Sequence, residues 1–201
     1  MIEPLLLHSN HALTWAAWHP EPVLVGGLIL AAGLYLRSAS SAKPAKLRML
    51  AFFAGLFLVF LALGSPLDVG AGRLFSLHML QHVILSTWAP PLILLGLTPL
   101  ILRPVFGSSR LGPLARIATH PIVGAPAFIL NMWVWHVPPV YDLAATHSSV
   151  HYVMHLSFLA TGVLFWWTVI SPAQEVHRFS TGARLFYIFF TGFPMMLLAF
   201  M

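Results

Sequence analysis

The chain is 201 residues long, 59% hydrophobic and only 7% charged, with ten Lys and Arg against five Asp and Glu for a formal net charge of +5. Such a composition excludes a soluble globular domain and describes a polytopic membrane protein, whose single integral membrane domain, 1–201, leaves no length for a second, soluble one. Cysteine is absent, which removes disulfides, thiolate metal sites and cysteine nucleophiles and leaves methionine as the only soft ligand.

Residues 1–21 carry no Lys or Arg ahead of an apolar core, so they are not a secretory signal peptide. Trp15 and Trp18 predict instead a short segment lying at the outer interface. A spanning helix needs about 20 mostly apolar residues, and six segments qualify, at approximately 22–36, 49–65, 74–102, 121–137, 149–171 and 185–201. The expected fold is therefore an all-α transmembrane bundle of six spans. The linker-like stretch 38–44 fits a cytoplasmic loop between the first two. The third segment contains Pro90-Pro91, and because 92–102 alone is too short to cross, it is expected to be one kinked, tilted helix. Trp133 and Trp135 at one membrane face, and Trp166 and Trp167 at the other, are expected as interfacial anchors.

Basic residues near helix ends concentrate in cytoplasmic loops. With the N-terminus outside, nine of the ten Lys and Arg lie inside, namely Arg37, Lys43, Lys46, Arg48, Arg103, Arg110, Arg116, Arg178 and Arg184, and only Arg73 lies outside. Of the acids, Glu3, Glu21, Asp68 and Asp142 fall outside and Glu175 inside. The positive charge is thus a topology signal; its residues are scattered between spans, without the clustered face that nucleic acid requires.

The same topology collects nine of the eleven histidines at the outer end: His8, His11, His19, His78, His82, His136, His147, His151 and His155. Four of them form two i,i+4 pairs, His78/His82 in HMLQH and His151/His155 in HYVMH. At about 1.5 Å per residue, the first pair lies roughly 6 and 12 Å into its helix and the second roughly 3 and 9 Å, so the pairs sit at matching depth. Residues four apart share a helix face, and each pair can offer two imidazoles to one ion. Imidazole suits copper, zinc, iron and nickel, and thioether sulfur favours Cu(I), so copper is the preferred metal. Met79, Met154 and Met132 are auxiliary candidates, although Met79 and Met154 are turned about 100° from the adjoining histidine. Asp68 and Asp142 hold outer loops or orient a histidine through its second N–H.

A lone histidine at an interface is more often a hydrogen-bonding structural group, which is the default for His19, His136 and His147. Intramembrane pairs are functional by default, the alternative being helix–helix hydrogen bonding aided by Gln81 and Asn131. Met79 and Tyr152 occupy the position of the general base in HExxH zinc proteases, so neither pair has that base. No other hydrolytic or phosphate-binding spacing occurs, and no catalytic residue is expected. Haem b held between His82 and His155 is a second cofactor possibility. Copper transport across the membrane is disfavoured, because the inner half has only His120 and His177.

The ordered motifs WHPEP at 18–22, SPLD at 65–68, FSLHMLQH at 75–82, APPLILLG at 89–96, THP at 119–121, WVWHVPPVYDLA at 133–144, HYVMHLSFLATGVLFWW at 151–167 and RLFYIFFTGFPMMLLAF at 184–200 resemble the CtaG family. These are assembly factors of caa(3)-type cytochrome c oxidase in the bacterial cytoplasmic membrane. The resemblance covers most of the chain and rests on motif order and spacing. It implies a helical membrane protein that delivers copper, with oxidase subunits and an extracytoplasmic copper donor as partners. The matching residues are His19, His78, His82, His120, His136, His151 and His155, with Asp68 and Asp142. Relatives usually continue past a sixth span, so the resemblance implies a further, seventh helix missing from the six expected in this chain. A structural accessory subunit of a respiratory oxidase is the remaining alternative.

Overall fold

The structure, a computed structural model, describes residues 18, 20–173 and 179–198, and these are helical with no strand. Five helices are long and apolar enough to cross a membrane: α1 (Pro22–Ala42), α2 (Lys46–Gly64), the continuous helix Phe75–Gly96, α10 (Ser148–Ile170) and α11 (Thr181–Leu198). The fourth expected span is represented by α8 (Pro121–His136), which has 16 residues and reaches membrane length only with α7 (Leu111–Ala118), across a 65° bend. Short helices α3 (Pro66–Ala71), α6 (Pro99–Phe106) and α9 (Pro138–Thr146) occupy the connections. Helices α1, α3, α6, α8 and α9 all begin on proline, whose fixed φ suits a first helical position and whose missing N–H has no partner to lose there.

Two boundaries differ from those expected. Helix α1 runs to Ala42, so Ser38–Ala42 is helical and the connection is only 43–45; Lys43, held before Pro44, takes φ 43° and closes the helix by donating to the Ala39 carbonyl. The third span runs unbroken through Pro90-Pro91 but ends at Gly96 instead of 102. It stops because Thr98, before Pro99, is held extended at φ −127° and ψ 159°, and its hydroxyl then caps α6.

The prolines are carried by a π turn at Ile84–Trp88 between α4 (Phe75–Val83) and α5 (Ala89–Gly96). Pro90 has no N–H for the Ser86 carbonyl four residues back. Trp166 Nε1 of α10 donates to that oxygen at 3.2 Å, satisfying it inside the bundle. Trp166 is therefore a helix-to-helix tie, and Trp167 is buried against Phe106 and Leu94; neither is the interfacial anchor expected from composition.

Around the π turn, Val59 and Ala62 of α2, Ile84, Leu85 and Ala89, and Met154 and Phe158 of α10 form the central core. Gly162 allows this approach: a Cβ there would lie 2.7 Å from the Ser86 oxygen and 2.9 Å from Pro90 Cγ. At the far end Arg48 donates to the carbonyls of Leu95 and Leu97 at 3.1 and 3.2 Å, and Tyr35 to Gly96 at 3.1 Å, satisfying the open C-terminus of α5 with a cation beside it. Helix α6 lies across this end, with Ile101 against Tyr35 and Phe52, and Leu102 against Leu94 and Trp167.

Candidate histidine site

Helices α4 and α10 bring the two pairs face to face at one end of the bundle. Ring centroids are 4.2 Å apart for His78 and His82 and 4.3 Å for His151 and His155. Across the helices, His78 lies 6.4 Å from His151, and His82 lies 6.1 Å from His155. The four rings form two tiers. The tier of His78 and His151 is half-buried, whereas His82 and His155 are 5% and 3% exposed.

A fifth ring, His136 at the end of α8, stands 6.2 Å from His82. Its Nδ1 is 2.6 Å from the Met132 carbonyl. A carbonyl only accepts, so Nδ1 carries the proton in the neutral ring and the Nε2 lone pair is kept for a ligand. The inner tier has the opposite character: both ring nitrogens of His82 and Nε2 of His155 are buried with no hydrogen-bond partner. Leaving such a group unsatisfied costs about 1–3 kcal/mol each, and an ion bound by these nitrogens would remove the penalty.

Two imidazoles sharing a metal at ~2.0 Å from each nitrogen have centroids from about 4.5 Å apart at a right angle to about 6.3 Å in a linear pair. The cross-helix distances lie at or just beyond the upper edge of that range, and the in-helix distances fall below it. Among the described residues no group of three or more His, Asp or Glu is placed to hold a metal as it stands. The geometry favours ligation across the helices over ligation along one helix, and it requires the rings to turn.

The remaining candidates separate clearly. Met154 is buried in the central core and Met132 packs against it, while Met79 is half-buried on α4. Asp68, on α3, accepts from Gln81 Nε2 at 2.7 Å, and the same amide donates to the Ala62 carbonyl at 2.7 Å. Asp68 thereby fixes the residue preceding His82 in the chain. Asp142 is exposed on α9, and His120 caps α8 by accepting from the Ile122 N–H at 3.3 Å. His8, His11, His19 and His177, and with them Trp15, lie outside the described residues.

Sequence reasoning passed over Tyr141, whose ring is 6.0 Å from His78, and Phe158, 4.3 Å from His82. Phe158 sits three residues after His155, on the same helix face, and that spacing was the available signal. Trp135, expected at the membrane interface, turns inward and donates to Asn131 Oδ1 at 3.0 Å and Ser157 Oγ at 2.8 Å; Asn131 in turn donates to Thr161 at 3.2 Å. This ladder ties α8 to α10 and holds His136 at its distance from the pairs. Interhelical hydrogen bonds in bilayers contribute about 0.6 kcal/mol on average, so Ser157→Ala should leave thermal stability nearly unchanged. For a metal held by this cluster, its expected effect is on affinity, weakened about 10-fold as for other supporting partners, with recovery in Ser157→Thr. Titration of both variants checks it, and equal affinities would remove the positioning role.

Fold and site together define a helical multi-pass membrane protein with a histidine cluster at one end of its bundle. The family model for the cytochrome c oxidase caa3 assembly factor, Caa3_CtaG, matches residues 28–201, and the chain belongs to that family. It is also similar to uncharacterized proteins of Mycobacterium bovis and Mycobacterium tuberculosis, each 27% identical over 184 residues, covering 81% of this chain and 28% of theirs. A Mycobacterium leprae protein is 22% identical over 182 residues, covering 83% of this chain and 28% of its own. The chain thus spans little more than a quarter of these relatives' length. No solved structure matches.

Proposed function

We propose that the chain binds copper as cargo, taking Cu(I) from an extracytoplasmic donor and passing it to a cytochrome c oxidase subunit in the same bacterial cytoplasmic membrane. In this reading the N-terminus is outside, the histidine end faces the extracytoplasmic side, and His78, His82, His151 and His155 hold the ion, with His136 or His19 completing the set. The observation that carries the proposal is the facing of His82 and His155, two buried imidazoles 6.1 Å apart whose free nitrogens have no protein partner. The half-buried tier above them supplies exchangeable ligands for entry and exit, which transfer requires and storage does not. Membership of an oxidase assembly family supports an oxidase subunit as the recipient.

The test is the copper-to-protein ratio of the purified chain after loading with Cu(I), together with the copper content of the oxidase in cells that lack it. Stoichiometric copper and a copper-poor oxidase are expected. A structural accessory subunit would instead leave the oxidase fully metallated after loss of the histidines.

Haem b between His82 and His155 is the weaker reading. The rings of His78 and His151 lie 4.2 and 4.3 Å from those two, and Phe158 lies 4.3 Å from His82, so side chains occupy the space a macrocycle would need. The purified protein is expected to show no Soret band, and a stoichiometric one would displace copper from the proposal.

A further inference from the structure

The end of the bundle opposite the histidines carries two eight-residue helices, neither long enough to cross by itself. Helix α6 packs across the ends of α1, α2, α5 and α10, and the turn after it leads into α7. Each has eight residues, about 12 Å of helix against the roughly 30 Å of a hydrocarbon core. Helix α7 meets α8 at 65°. Since α8 lies along the crossing helix α10, α7 is nearer the membrane plane than its normal.

The outward face of this pair has a definite chemistry. Leu111, Leu114 and Ile117 of α7 are each more than half exposed, and their spacing of three keeps them on one side of the helix. Arg116 points elsewhere, donating to the Phe106 carbonyl at 3.4 Å and so joining α7 to α6. Arg103 and Arg110 are exposed. No Asp or Glu occurs anywhere between Asp68 and Asp142, so this stretch has no carboxylate of its own to neutralise them. An apolar face lying in the membrane plane beside two exposed arginines matches the boundary between acyl chains and headgroups, where long basic side chains lay their stems on apolar surface and send the charge to the phosphates.

We propose that α6 and α7 form a seat for acidic phospholipid, with Leu111, Leu114 and Ile117 at the acyl boundary and Arg103 and Arg110 on the headgroup phosphates. The seat is independent of the histidine site and of any metal. Its occupant is a lipid because exposed Arg110 leads directly in the chain into the exposed apolar side chains of α7, whereas a free phosphate would use the arginines alone.

The experiment reconstitutes the chain in nanodiscs of phosphatidylcholine, with or without phosphatidylglycerol, and measures which lipid stays with the protein on gentle extraction, by native mass spectrometry. The wild-type chain should retain phosphatidylglycerol preferentially. Arg103→Gln with Arg110→Gln should lower that preference by about fivefold for each arginine, while Arg103→Lys with Arg110→Lys keeps most of it. Lys43→Gln with Lys46→Gln, in the basic connection between α1 and α2, should change it much less. A full preference in the Arg→Gln pair, an equal loss in the Lys→Gln pair, or displacement of the lipid by inorganic phosphate would each overturn the proposal. Unchanged thermal midpoints in phosphatidylcholine alone show that the variants are folded.

Discussion

Replacing His82 and His155 together by alanine should abolish stoichiometric copper binding, weakening affinity by more than the roughly 100-fold that loss of a supporting partner can cause. The inner tier is the sensitive one because both ring nitrogens of His82 and Nε2 of His155 are buried without a hydrogen-bond partner in the protein. The outer pair, His78 and His151, is half-buried, and water can stand in for a missing ring there. His78→Ala with His151→Ala is therefore expected to weaken binding less and to slow exchange with a donor more. The in-helix doubles, His78/His82 and His151/His155, each remove one ring from both tiers and should both lose stoichiometric copper. Copper measured by elemental analysis on purified variants, with affinity from competition against a Cu(I) chelator, separates these outcomes. Stoichiometric copper in both in-helix doubles would sink the mechanism. A greater loss in the outer double than in the inner one would move the binding tier to the surface.

Gly162→Ala is expected to cost stability and, unlike a substitution at the other close-packed glycines, to act on the approach of α10 to the π turn. The added Cβ would lie 2.7 Å from the Ser86 oxygen and 3.0 Å from Ser86 Cα, and these are backbone atoms of the π turn that no rotamer change can move. Overpacking of this kind costs about 1–3 kcal/mol. It would also push α10 away from α4 and lengthen the His82–His155 separation, so copper affinity should fall with stability. Gly27→Ala is the matched control: a Cβ there meets nothing within 4 Å, and a helical Gly→Ala change in open space is neutral or slightly stabilising. Thermal unfolding of both variants in one detergent checks the pair, and coincident midpoints would show that the approach of α10 to the π turn is not tight.

The histidine pairs were legible in the chain because HxxxH is a local pattern: four residues is about one helical turn. Their mutual facing was not legible, since it depends on the rotation of α4 relative to α10. That rotation is set by distant contacts, among them Trp166 on Ser86, Gly162 against the π turn, and Gln81 on Asp68 and Ala62. The tryptophans show the same divide. Their composition and position suit an interface, yet Trp135 and Trp166 spend their N–H groups inside the bundle, because Ser157, Asn131 and a proline-freed carbonyl stand opposite them.

Sequence by itself determined an all-helical membrane chain, the identity of its two histidine pairs, and, through ordered motifs, its family. Those properties follow from composition and from periodicities within single helices. Tertiary structure alone decided that the third span ends at Gly96, that α7 meets α8 at a 65° bend, and that five imidazoles meet at one end of the bundle. The physical reason is that the direction a helix face takes is settled by which neighbour satisfies its buried polar groups and admits its backbone closely, and such neighbours lie up to 80 residues away in the chain.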